Sequence, residues 1–144
     1  EACPDAELHI VGSGHPEAYE ETSGVLCRGY VEDLVDALAP ASLFVQPSRV
    51  DTFPVSALEA MRAGLVPLVT QTTGTRSEAR AIDPSLVVEP DERALAEGVR
   101  DYFERDVKDS RALAARARER GAEFDPVSRK AAFRAAFDRV LEAF

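Results

Sequence analysis

Cysteine, lysine and histidine are scarce in this chain, with two of each among 144 residues. Cys3 and Cys27 form no CxxC pair and no cluster with histidine, which argues against a metal centre. Cys27 adjoins Val25 and Leu26 and is expected to be a buried thiol. Acidic residues outnumber basic ones 26 to 17, for a net charge of −9. That balance lacks the basic face that non-specific nucleic-acid binding requires. No apolar run approaches the roughly 18 residues of a membrane span. No charged-then-apolar stretch of signal-peptide layout opens the sequence, so a cytoplasmic protein is expected. A disulfide is disfavoured in that compartment.

What is present suits one globular domain, with 45% hydrophobic residues. Short apolar runs at 8–11, 25–28, 43–45, 66–69 and 86–88 read as strands, the first of them buried. Between them lie helical patterns. Pro16 opens a short helix reaching about residue 21. Residues 31–38 place apolar side chains on one face and stop at Pro40. Residues 56–63 form a helix closed by Gly64. From Glu92 the chain is mostly helical, with Leu95, Val99, Tyr102 and Phe103 on one stripe. A further helix spans 111–120, ends at Gly121 and presents a solvated charged face. The last spans 127–144, with Phe133, Phe137 and Phe144 expected in the core. Strands alternating with helices predict an α/β fold, a parallel sheet with helices on both faces. Ligands bind such sheets at the carboxyl ends of the strands.

The most informative stretch is Pro47-Ser48-Arg49-Val50-Asp51-Thr52-Phe53-Pro54-Val55-Ser56-Ala57-Leu58-Glu59. It joins a strand to a helix N-terminus, where free amides and the positive dipole end face any anion. Asp51 and Glu59 flank the turn, and carboxylates accept hydrogen bonds from the hydroxyls of a ribose or hexose. Amides for phosphate and carboxylates for hydroxyls together describe a sugar-nucleotide site. Plainer readings stand beside this one. Ser56-x-x-Glu59 is also a capping box, and Asp51 is a common turn residue. Gly12-Ser13-Gly14 lacks the third glycine of a dinucleotide fingerprint. His9 reads as a core or edge residue, while His15 follows the glycine turn at a ligand-facing strand end.

Over residues 8–91 the chain resembles the retaining glycosyltransferases of GT-B fold in the group-1, family-four class. The matches are Leu8-His9-Ile10-Val11-Gly12-Ser13-Gly14, Val25-Leu26-Cys27-Arg28-Gly29-Tyr30-Val31-Glu32-Asp33-Leu34, the Pro47-Ser48 strand exit, Asp51-x7-Glu59, the entry from Gly64 to Val69, and Thr73-Gly74-Thr75…Glu78. The resemblance implies a Rossmann-like C-terminal domain that binds a nucleotide diphosphate-sugar donor. It assigns ribose to Glu59 and sugar hydroxyls to Asp51, with Phe53, Pro54, Val55 and Ser56 lining the loop. Gly29 and Val31 would run beside the base, and Gly74 lies in the small-residue loop after the next strand. Asp51 and Glu59 are thus the candidate catalytic residues. No metal, no cofactor and no protein nucleophile is implied.

Three departures qualify the match. Asp51 replaces the usual glutamate and is one methylene shorter. The family's opening strand, helix and basic Gly-Arg and Lys-Gly loops, which neutralise the diphosphate, have no counterpart before Leu8. The N-terminal acceptor domain has none either. Residues 1–144 are therefore expected to be a single truncated donor-binding domain with a gap in its sheet, inactive alone and prone to self-association through exposed strand edges. Alternative readings are a non-catalytic nucleotide-binding or interaction module and a sugar-nucleotide epimerase fragment.

Overall fold

The computed structural model describes residues 3 and 6–143. The described residues form five strands and six α-helices in an α/β, Rossmann-like arrangement. Strands β1 (Leu8–Val11) and β2 (Val25–Gly29) make one parallel pair. Strands β3 (Leu43–Gln46), β4 (Val66–Thr70) and β5 (Val87–Val88) make a second parallel sheet in that order. The helices are α1 (Leu34–Leu38), α2 (Val55–Ala63), α3 (Arg76–Ile82), α4 (Glu92–Phe103), α5 (Val107–Ala122) and α6 (Pro126–Glu142). Where one gapped sheet is expected, the strands divide into these two groups.

The core is centred on β4, whose five residues are all buried. Burial on both faces explains why its sequence is continuously apolar up to Thr70 rather than alternating. Pro67 is tolerated in this central strand because its ladder position is vacant. Val66 donates toward β3, to the Ser42 carbonyl, so residue 67 faces the β5 side, and β5 pairs only from Val69 onward. Leu58 and Met61 of α2, Ala79 and Ile82 of α3, Tyr102 of α4, and Leu113 and Ala117 of α5 close over Val66 and Val69. Tyr102 donates its hydroxyl to the Ser42 carbonyl at 3.0 Å.

Helix α2 stops where expected. Gly64 takes φ 93° and donates to the carbonyls of Ala60 and Met61, a left-handed cap that a Cβ would strain.

Several expectations need correction. β1 is only partly buried, with Leu8 exposed, because a two-stranded pair cannot cover its own faces. Cys27 is half-buried for the same reason. α1 starts at Leu34 rather than residue 31, since Asp33 accepts the Asp36 amide at 3.2 Å and ends the extended segment. Gly121 lies inside α5 rather than ending it. A Cβ there would stand 2.6 Å from the Arg62 nitrogen, so this glycine lets α5 press against the end of α2. Helix α6 buries no residue among those described, and Phe133 and Phe137 are 72% and 53% exposed. Their rings stack on each other, not in the core. Phe144 lies outside the described residues. Among the described residues no helix is long and apolar enough to cross a membrane.

Candidate functional site

The carboxyl ends of β3 and β4 are sewn together by small polar side chains. Gln46 donates Nε2 to Ser48 Oγ at 2.8 Å and accepts from Ser56 Oγ at 3.5 Å. Thr70 donates its hydroxyl to the Ser48 carbonyl at 2.5 Å, and Thr72 donates to the same oxygen at 3.0 Å. Thr70 also lies 2.9 Å from the Thr73 hydroxyl. The loops after the two strands meet directly. Asp51 bridges Thr73 in parallel fashion, and the Gly74 amide donates to the Asp51 carbonyl at 2.8 Å. An added Cβ on Gly74 would fall 1.5 Å from the Thr52 oxygen. A side chain at 74 is therefore incompatible with this junction.

The junction delivers the chain to the start of α2. Pro54 occupies the cap position with extended geometry, and no side chain caps the helix. The amides of its first turn are left without a side-chain cap at the positive end of the dipole. Ser56 sits at the second helical position with its hydroxyl turned to Gln46. The capping-box reading of Ser56-x-x-Glu59 is thus overturned, because it needs serine one step before the helix.

Val55, Glu59 and Arg62 share the exposed face of α2, opposite buried Ala57, Leu58, Ala60 and Met61. Helical Cα–Cβ bonds tilt toward the N-terminus, so Glu59 stands one turn into α2 with its Cβ directed toward the helix start. Among the described residues, neither Glu59 nor Asp51 has a side-chain hydrogen bond or ion pair. Asp51 is half-buried, and its backbone is fixed on both sides. The structure therefore brings Asp51 and Phe53 against Gly74 and leads through Pro54 to Val55 and Ser56 at the helix start, with Glu59 one turn further along α2. Gly29 and Val31 stand at the end of the other sheet, where Gly29 accepts the Gly12 amide at 2.7 Å. No hydrogen bond or strand pairing among the described residues ties them to the 51–56 segment. His15, in the loop after β1, has a buried Nδ1 without a hydrogen-bond partner among the described residues. His9 is at the strand edge, 3.5 Å from Glu7.

The family model for glycosyl transferases of group 1 matches residues 1–105, most of the chain. The chain belongs to the group 1 glycosyltransferases. Comparison with the curated proteins returned no match.

Two features of this family member are not apparent from its motifs. Helix α3 follows the 72–75 loop directly, and its Glu78, though matched in the motif, is only 9% exposed. Arg120, expected on a solvated face, reaches Glu78 at 2.5 Å and Glu123 at 2.5 Å. The signal for α3 was the Ala79 and Ile82 spacing after Thr75, overshadowed by the turn residues before it. An open cavity of about 440 Å³, lined by Ser42, Gly64, Tyr102 and Arg105 among others, lies at the opposite ends of β3 and β4. Parallel sheets bind their ligands at the carboxyl ends of the strands, so the candidate site is the loop junction and not this cavity.

Proposed function

We propose that this chain is the donor-binding, C-terminal domain of a retaining glycosyltransferase of the family-four type. The single supporting observation is an uncapped helix start in a segment flanked by two carboxylates, Asp51 and Glu59, whose side chains have no partner among the described residues. The α2 amides hold the diphosphate, Glu59 holds the ribose hydroxyls and Asp51 the hydroxyls of the transferred sugar. As the anomeric carbon–oxygen bond breaks, negative charge grows on the leaving phosphate oxygen. Preorganised amides stabilise that charge more than the ground state. Phe53, Pro54 and Val55 shape the wall of the crevice, and Gly29 and Val31 approach the base from the other sheet. The acceptor is held by a further domain, so transfer by these 144 residues alone is not expected. Among the described residues β1 and β3 each pair on one side only, and these edges, with the exposed α6 face, favour self-association.

Calorimetric titration with UDP-, GDP- and ADP-sugars tests the reading. One of the three is expected to bind, with retention at the anomeric carbon once acceptor and partner domain are supplied. Absence of binding to all three would favour a non-catalytic interaction module.

A further inference from the structure

The geometry points to Phe124, in the turn between α5 and α6, as a positioning residue for the 51–54 loop. This inference rests on the donor-site reading only for its consequence in binding, not for the contact itself. Phe53 is a large apolar side chain left 46% exposed in a loop without regular structure. Its ring centroid lies 6.2 Å from that of Phe124 at 48°, within the range of favourable aromatic pairs. Phe124 is itself held by two guanidinium groups. The Arg129 guanidinium stands 4.4 Å from its ring centroid and that of Arg120 5.9 Å, both within cation–π reach. Arg129 donates Nε to the Glu123 carbonyl at 3.0 Å, and Arg120 is anchored by Glu78 at the base of the 72–75 loop.

The loop that carries Asp51 to the helix start is thus gripped twice. Gly74 meets its backbone at Thr52, and Phe124 meets its side chain at Phe53. Both grips trace back to the segment 73–78, one through Gly74 and one through Glu78 and Arg120. Loosening Phe124 frees the loop on one side, so the amides and Asp51 lose their fixed relation without any ligand contact being removed.

The test uses Phe124→Leu and Phe53→Leu, which keep apolar bulk, with the double variant. Hydrogen exchange of the Asp51 and Gly74 amides, which bond across the loop junction at 3.4 and 2.8 Å, is expected to quicken about three- to tenfold in either single variant, with β4 unchanged. The double variant is expected to add less than a further factor of about two. Dissociation constants for UDP, GDP or ADP, whichever the unmodified chain binds, rise by a similar factor. Unchanged loop exchange in both single variants, or exchange that quickens equally in β4, overturns the assignment. If the unmodified chain binds none of the three nucleotides, the donor reading fails, while the exchange comparison still decides the role of Phe124.

Discussion

Replacing Gly74 by alanine probes the junction that shapes the candidate site. Gly74 does not need a positive φ. Alanine in such a position normally stabilises by about 0.4–1 kcal/mol, by restricting the unfolded chain. Here the new Cβ would lie 1.5 Å from the Thr52 oxygen, 2.5 Å from its carbonyl carbon and 3.2 Å from the Phe53 nitrogen. All three are backbone atoms, so no side-chain rotation relieves the clash. The loops must part by more than an ångström. Overpacking of this kind costs about 1–3 kcal/mol. Parting the loops also breaks the 2.8 Å hydrogen bond from Gly74 to Asp51, worth about 1 kcal/mol. The expected net loss is about 2–3 kcal/mol, or roughly 4–12 °C in Tm for a domain of this size. Urea and thermal unfolding measure it, with an unchanged m-value showing that the denatured state is unaltered. A Gly74→Ala protein as stable as the parent would refute the close approach, and with it the coupling of the two loops.

Arg120→Met should cost about 2 kcal/mol, because it strands the nearly buried Glu78. That is less than the about 3–5 kcal/mol of a fully buried pair, since Arg120 is partly open to water; urea midpoints for Arg120→Met, Glu78→Gln and the double variant give the coupling. Asp91→Ala removes the acceptor for the Ala94 amide at the start of α4 and should lower stability by about 1 kcal/mol in the same assay. The Ser85 hydroxyl and amide, aided by Arg105 and Arg116 and opposed by burial, hold the Asp83 carboxyl below its ordinary range. The unfolded state therefore takes up the proton first, so this stabilisation is present above about pH 4 and disappears as pH falls through the lower folded value. Thermal melts from pH 6 to pH 2.5 should show a shallower acid loss in Asp83→Asn than in the parent.

The alternation of apolar runs and helical stripes was enough to place β3, α2 and β4, and Gly64 marked its helix end without ambiguity. The site loop was legible because its signal is local: a strand exit, a proline and a helix start within a few residues. What stayed hidden depends on partners far along the chain. Arg120 reads as one more solvated charge until Glu78, 42 residues away, is brought beside it. Gly121 has the composition of a helix stop, yet close packing on Arg62 is what calls for glycine there. The stripe on α6 has the period of a packed helix, but periodicity does not say which surface covers it. Phe53 and Phe124 likewise meet only once α5 has folded back along α2.

The central claim is that Glu59 and the uncapped amides of α2 receive a sugar nucleotide. Calorimetry of Glu59→Ala beside the parent protein, paired with thermal melts, tests it most directly. Losing a charge-assisted hydrogen bond of about 1.5–3 kcal/mol should weaken binding of the nucleotide about 10- to 150-fold. The melting temperature should stay within about 2 °C, because the side chain is exposed and has no partner among the described residues. Undiminished nucleotide affinity in Glu59→Ala, with or without a lower melting temperature, would contradict it.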